Sequence, residues 1–173
     1  GTLSLVARCV QHQDYKNILE WVIIDTTDCS GIDEGIQQVV DESKKYEKMP
    51  NIVLKKYPQS SPRAIGAMRN FSNRHVDGDI IVCMDDDDYY PKTRVSHAVE
   101  SLVGSKKLIA GSSETVIYDV SLETLFRYPF RHQNHSVNNC FAYKKEYLEE
   151  NSYDETKTFA EETSFTKKFT NPM

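Results

Sequence analysis

Short apolar runs alternate with amphipathic stretches through residues 1–105 of this 173-residue sequence. The apolar runs 21–24, 52–54 and 80–84 are too short for helices and are typical of buried strands. Between them, apolar residues recur at intervals of three and four, which predicts helices that each cover one face of a sheet. Strand alternating with helix predicts an α/β fold with a mostly parallel central sheet flanked by helices.

The length corresponds to one domain, and no repeat, linker or low-complexity tract divides it. We therefore expect a single domain over residues 1–173, with a nucleotide-binding type of half at 1–105 and a more irregular half at 106–173.

The net charge of −5 argues against nucleic acid as a partner, because phosphate backbones demand clustered cations. No apolar stretch approaches the ~20 residues of a membrane span. The four cysteines show no zinc-ligand spacing, which favours a reducing, cytoplasmic compartment.

The run "CMDDDDYYP" places four carboxylates, Asp85 to Asp88, directly after an apolar strand. Like charges side by side repel, so this is either a solvated loop or a site where a cation neutralises them. Ligands of open parallel sheets bind beyond the carboxyl ends of the strands, where this run lies. Extended backbone puts Asp85 and Asp87 on one side and Asp86 and Asp88 on the other. This arrangement predicts a site for a hard divalent cation, which usually also binds phosphate oxygens.

Four segments resemble the inverting, family-2-type glycosyltransferases of GT-A fold, and they follow that family's order. "GDIIVCMDDDDYYP" resembles the strand that ends in a DxD-type motif, and "GAMRNFSNRHVDGD" resembles the preceding Arg-Asn helix. "QDYKNILEWVIID" resembles the segment that leads into the second strand, and "TFAEETSFTKKF" the late acidic pair. The resemblance implies a single Rossmann-like GT-A domain whose second half is the acceptor side. It also implies a fragment, with further family segments on both sides.

The same resemblance implies roles for individual residues on the donor side. Asp25 would contact the nucleobase, and Arg69 would approach the donor's nucleotide or diphosphate. Asp85 and Asp86 would bind the sugar nucleotide. Asp87, with Asp85, would hold a divalent cation, Mn²⁺ or Mg²⁺. The implied donor is a nucleotide-diphosphate sugar, and the acceptor is a glycan, lipid or protein hydroxyl.

The late acidic pair, Glu161 and Glu162, is expected to supply the catalytic base. Neighbouring helical positions cannot point the same way, so one carboxylate should face the donor while the other caps the helix or pairs with a cation such as Lys168. The resemblance assigns the inward role to Glu162. One metal and one base suffice for a direct displacement that inverts the anomeric centre.

Two other functions remain open from the sequence: a sugar-phosphate nucleotidyltransferase and a binding module of the same fold without turnover. The aromatic residues Phe126, Tyr128 and Phe130 could stack on sugars, although packing in the core or a loop is favoured. His132 and His135 are expected in exposed or capping positions rather than as ligands.

Overall fold

The structure is a computed structural model that describes residues 2–112, 114–129 and 135–170. Five α-helices and seven strands lie in these ranges. The helices are α1 (Thr2–Gln11), α2 (Glu34–Ser43), α3 (Ile65–Asn73), α4 (Arg94–Leu102) and α5 (Glu162–Phe165). The strands are β1 (Glu20–Asp25), β2 (Asn51–Lys56), β3 (Ile80–Val82), β4 (Ile109–Ala110), β5 (Glu114–Asp119), β6 (Thr124–Pro129) and β7 (Ala142–Lys144). No helix in the described ranges is long and apolar enough to cross a membrane.

The strands of the described ranges form three separate sheets. β1 and β2 pair in parallel, with Trp21 opposite Ile52. β7 lies between β3 and β4 and is antiparallel to both, so β3 and β4 share one direction. β5 and β6 form an antiparallel ribbon. The predicted α/β architecture with flanking helices is confirmed, and the late strand β7 adds the antiparallel element that a pattern of alternating strands and helices does not reveal.

The two faces of β7 divide the core of the second half. Ala142 packs with Ala98 and Leu102 of α4 on one face. On the other face, Tyr143 belongs to an aromatic cluster around Phe165 of α5, which is completely buried. The Phe165 ring stacks on Tyr153 with centroids 4.1 Å apart. This cluster fixes the position of α5, although that helix is only four residues long.

Side-chain contacts lie at the starts of two helices. Asp33 caps α2 by accepting a 3.1 Å hydrogen bond from the backbone N–H of Ile36. α3 begins at Ile65, and ahead of it the carbonyl of Pro62 accepts a 2.7 Å hydrogen bond from the Tyr57 hydroxyl. Gly66 in the first turn allows close packing, since a Cβ there would lie 2.1 Å from the carbonyl oxygen of Asp154.

Two of the three aromatic residues that could stack on sugars lie on strand β6. Phe126 and Tyr128 are 47% and 60% exposed, so they pack neither in the core nor in a loop, and the favoured packing role is wrong for both. Phe130 and His132 lie outside the described residues. The His135 ring packs on Phe169 with centroids 4.6 Å apart.

Asp25 ends β1 and organises the turn that follows. Its carboxylate is fully buried and accepts from the N–H and hydroxyl of Thr27 at 2.9 and 2.7 Å. The other oxygen accepts from the N–H of Asp33 at 2.8 Å and from Lys56 at 3.2 Å. Burial alone would raise the pKa of Asp25, but these hydrogen bonds from Asp33, Thr27 and Lys56 lower it from 3.8 to about 2. The ionised carboxylate therefore joins β1, β2 and the start of α2.

Replacing Asp25 by Asn should lower the free energy of unfolding by about 1–3 kcal/mol, because bonds to a charged acceptor are lost. The folded pKa lies below the unfolded one, so this contribution is present above about pH 4 and is lost as pH falls towards about 2. Urea unfolding between pH 2 and 7 should therefore show a smaller acid loss of stability in Asp25→Asn. Asp14→Asn, at an exposed site, is the matched control. If the free energy of unfolding changes with pH in the same way for Asp25→Asn and for the native chain, this role of Asp25 is contradicted.

Candidate active site

The acidic run forms a tight loop directly after β3, and Tyr90 holds it in place. The buried Tyr90 hydroxyl accepts a 2.7 Å hydrogen bond from the backbone N–H of Asp85. The same hydroxyl donates to the Asp88 carboxylate at 3.5 Å, and the amide of Asn139 donates to that carboxylate as well. Burial raises the pKa of Tyr90, and the nearby Asp85 and Asp88 charges add to the rise. The phenol therefore stays protonated and fixes the shape of the loop.

Arg69 on α3 joins the acidic loop to the late acidic pair. Its terminal nitrogens donate to the two oxygens of Asp85 at 3.1 and 3.4 Å. Its Nε donates to Oε1 of Glu161 at 2.8 Å. Burial works to lower the pKa of Arg69, but the adjacent Asp85 carboxylate outweighs it and raises that pKa. One guanidinium thus holds two carboxylates from distant parts of the chain, one near its middle and one near its carboxyl end.

Asn138 lies beside Arg69 and is itself hydrogen-bonded to Tyr153. Asn138 hydrogen-bonds the hydroxyl of Tyr153, and with its amide oxygen turned towards Arg69 that oxygen lies 3.3 Å from Nε. Asn70, the next residue on α3, accepts from the backbone N–H of Tyr153 and donates to its carbonyl, both at 2.9 Å. Neighbouring residues of one helix therefore fix both the acidic loop and the C-terminal segment.

Glu161 and Glu162 occupy different environments. Glu161 is 5% exposed, is paired with Arg69 and makes no capping hydrogen bond, so its cation partner is Arg69 and not the predicted Lys168. Glu162 is half-buried, and its carboxylate makes no hydrogen bond or ion pair with another described residue. Burial raises the pKa of Glu162 above its usual 4.5, and the neighbouring charge of Glu161 adds to the rise.

The predicted donor-side residues fall into two clusters. Arg69 and Asp85 lie together with Glu161, as described above. Asp25 belongs to the separate cluster with Thr27 and Lys56, and both oxygens of its buried carboxylate are occupied by protein donors. A direct contact with a nucleobase stays a prediction, and the geometry favours a supporting role for Asp25 beneath the turn it organises.

The carboxylates of Asp86 and Asp87 take no part in these contacts. Both residues are exposed, and neither side chain makes a hydrogen bond or ion pair within the described parts of the chain. No group of three or more metal-ligating side chains is preassembled among the described residues. A cation here would have to be held by one or two carboxylates together with oxygens of a bound ligand and water, which is the usual arrangement for Mg²⁺ with phosphates.

Sequence reasoning missed the residues that position the site. Tyr90 carried a weak signal, because it follows the acidic run within "DDDDYYP". Asn138, Tyr153 and Lys56 carried none, since their partners are distant in sequence and no spacing marks them.

The fold was compared with known proteins. A crystal structure of S. aureus TarS 1-349 superposes with a TM-score of 0.67 at 19% identity, over 97% of this chain and 50% of that one. The structure of the same protein in complex with UDP-GlcNAc gives a TM-score of 0.62 at 16% identity, over 95% of this chain and 49% of that one. The chain therefore spans about half the length of these structures, and the likeness shows a GT-A fold. No match was found among the curated proteins.

Sequence identities of 19% and 16% to these structures show the fold but not the family. The family is shown by a match to a protein-family model. The model described as glycosyl transferase family 2 matches residues 3–160. This range contains β1 to β7, the acidic loop and Arg69. The chain belongs to glycosyl transferase family 2.

Proposed function

We propose that this domain transfers a sugar from a nucleotide-diphosphate sugar to an acceptor hydroxyl with inversion at the anomeric carbon. The proposal rests on the hydrogen bonds of Arg69 to Asp85 and Glu161, which bring the loop after β3 next to the late acidic pair. Membership of glycosyl transferase family 2 supports the reaction class. The TarS structure with UDP-GlcNAc supports a nucleotide sugar as donor.

On the donor side, we assign Asp85 to positioning and Asp87 to metal binding. Arg69 engages both oxygens of Asp85, so that carboxylate is the less available ligand. The exposed carboxylate of Asp87 is open to Mn²⁺ or Mg²⁺, and Asp86 to other parts of the donor. A divalent cation held there would neutralise the charge that develops on the departing diphosphate. Tyr90 keeps these carboxylates at the end of β3.

On the acceptor side, Glu162 is the proposed general base. Its carboxylate is not engaged by Arg69, in contrast to that of Glu161. Burial raises the pKa of Glu162, which makes it a better proton acceptor than an ordinary glutamate. Glu162 takes the proton of the acceptor hydroxyl while that oxygen forms a bond to the anomeric carbon. The bond from that carbon to the diphosphate oxygen breaks, and the electron pair leaves with the nucleoside diphosphate.

The released product separates this proposal from its competitors. A sugar transferase releases a nucleoside diphosphate, whereas a sugar-phosphate nucleotidyltransferase releases pyrophosphate. A module without turnover binds the nucleotide sugar and releases neither. Detection of pyrophosphate, or of binding alone with every acceptor class, would overturn the proposal.

Replacing Asp87 by Asn should weaken Mn²⁺-dependent binding of a nucleoside diphosphate, because one anionic ligand is removed. The fold should remain intact, since Asp87 is exposed and has no partner among the described residues. Thermal shift with and without Mn²⁺ measures the effect, because a ligand that binds only the folded state raises its stability. Unchanged Mn²⁺-dependent affinity, or a loss in Asp86→Asn instead, would reassign the ligand.

Replacing Glu162 by Gln should slow sugar transfer by about 10²–10⁴-fold and leave donor binding and thermal stability near normal. In the native chain, the transfer rate should rise with pH through a pKa above the usual 4.5, because only the ionised carboxylate accepts a proton. Initial rates of nucleoside diphosphate release from pH 4 to 8 measure both effects.

Glu161→Gln is the matched comparison for the base. It removes the buried charge that pairs with Arg69, so it should lower the melting temperature as its main effect. If Glu161→Gln loses transfer while keeping its stability, and Glu162→Gln keeps near-normal transfer, the two roles are exchanged. If neither variant loses transfer, the base lies elsewhere.

A further inference from the structure

The ribbon of β5 and β6 presents an apolar surface to solvent. Every residue from 121 to 128 is exposed. Eight large apolar side chains of the ribbon and its turn are between 47% and 78% exposed. Contiguous apolar patches of this kind are rare on protein surfaces and mark sites for ligands or partners. A two-stranded ribbon is also only marginally stable on its own in water, so an occupant would stabilise it.

The pairing register places two exposed aromatic rings on one face of the ribbon. Directly opposed residues of an antiparallel pair share a face. Phe126 lies opposite Ile117, and Tyr128 lies opposite Thr115. Since Phe126 and Tyr128 are two positions apart along β6, all four side chains lie on the same face. We call it the aromatic face.

The base of the aromatic face lies close to the acidic loop. The hydroxyl oxygen of Thr115 is buried next to the thiol of Cys140. Cys140 directly follows Asn139, whose side-chain amide donates to the carboxylate of Asp88. The face that contains Thr115 is therefore the one turned towards the acidic loop.

The chain that returns from the ribbon reaches the segment after α5. The Oγ of Ser136 accepts a 3.0 Å hydrogen bond from the backbone N–H of Ser112, which joins the two ends of the excursion. The neighbouring His135 ring packs on Phe169. The base of the ribbon is thus flanked by the acidic loop and by the segment that follows α5, the helix on which Glu162 lies.

The chemistry of the aromatic face suits a saccharide. A sugar ring has C–H groups on its faces and hydroxyl groups at its edge, and the negative face of an aromatic ring attracts such C–H groups. Phe126 and Tyr128 are about 7 Å apart along the strand, so neighbouring sugars of a linear chain can each contact one ring. Thr124 and the Tyr128 hydroxyl add hydrogen-bonding groups. Within β5 and β6 no lysine or arginine lies on this face, which disfavours a phosphate-rich ligand.

A lipid surface fits the ribbon less well, because its turn carries Asp119 and Glu123. The hydroxyl of Ser121 and the backbone N–H of Leu122 both donate to the Asp119 carboxylate. These hydrogen bonds lower the pKa of Asp119, so its carboxylate stays ionised. An ionised carboxylate is costly to place in hydrocarbon.

We propose that the aromatic face binds a neutral, linear saccharide that serves as the acceptor chain. The sugar to be modified lies at the base of the ribbon, on the side of the acidic loop and Glu162. The sugars that precede it stack on Tyr128 and then on Phe126. The role of this saccharide as acceptor rests on the proposed function, whereas its binding to the ribbon does not depend on any turnover.

Isothermal titration calorimetry with neutral oligosaccharides tests the binding. The panel contains malto-, cello-, manno- and chito-oligosaccharides of two and of six sugars. At least one hexasaccharide should bind at least tenfold more tightly than the corresponding disaccharide, because only the longer chain reaches both rings. Tyr128→Ser should weaken the binding of that hexasaccharide about tenfold.

Tyr118→Ser is the matched control on the opposite face of the same ribbon. Tyr118 lies opposite Leu125 and is 55% exposed, against 60% for Tyr128. Its replacement should leave the affinity for the hexasaccharide within twofold of the native value. Both variants should keep the native melting temperature, because both side chains are exposed.

Initial rates with the bound hexasaccharide as acceptor give a second readout. Tyr128→Ser should raise the KM for this acceptor about tenfold and leave kcat and the KM for the nucleotide sugar unchanged, because the ring takes no part in the displacement. A native chain that binds the hexasaccharide on this face but releases no nucleoside diphosphate supports the saccharide site and refutes only the proposed function.

Three results overturn the inference. The first is that no oligosaccharide of the panel binds, and the second is that Tyr118→Ser weakens binding as much as Tyr128→Ser. The third is a Tyr128→Ser variant with native affinity for the hexasaccharide that loses binding to phosphatidylcholine vesicles or loses self-association in sedimentation. A lipid surface or a second copy of the chain is then the occupant of the aromatic face.

Discussion

The candidate active site depends on one partly buried guanidinium. Arg69 donates to Asp85 and to Glu161, and Asn138 and Tyr153 fill the space around it. Burying an ion pair costs desolvation energy, and removing one partner from such a pair typically costs 3–5 kcal/mol because a charge is left uncompensated. The link between the acidic loop and the segment before α5, and the different environments of Glu161 and Glu162, both depend on this contact.

The sequence predicted the first half of the fold better than the second because its signals are local there. Apolar runs and helical periodicity at α1, β1 and β2 arise within single elements, and tertiary packing preserves them. β7 comes late in the sequence and pairs antiparallel with β3 and β4, and no local pattern encodes this pairing. α3 begins at Ile65, and just before it the Tyr57 hydroxyl donates to the carbonyl of Pro62. A contact of this kind is not included in the residue preferences for helix caps.

The candidate site, too, could be predicted only in part. The acidic run is contiguous, so its placement after β3 could be predicted from residues 80–88 alone. The hydrogen bonds and ion pairs of each carboxylate could not be predicted in this way, because they depend on partners from elsewhere in the chain. Asp25 is saturated by Thr27, Asp33 and Lys56, whereas Asp87 has no partner among the described residues. Two aspartates at or after the ends of strands therefore differ in what they can bind.

The separation of Arg69 from Glu161 along the chain has a consequence for folding. The two residues are 92 positions apart, whereas Arg69 and Asp85 are 16 apart. Closing the longer loop costs more chain entropy, and contacts of this kind form late. During synthesis the N-terminal part emerges first, so Arg69 can meet Asp85 well before Glu161 is available. A chain shortened before Glu161 would keep the acidic loop and lack the second carboxylate, so the complete ion-pair arrangement around Arg69 forms only after the late segment has folded.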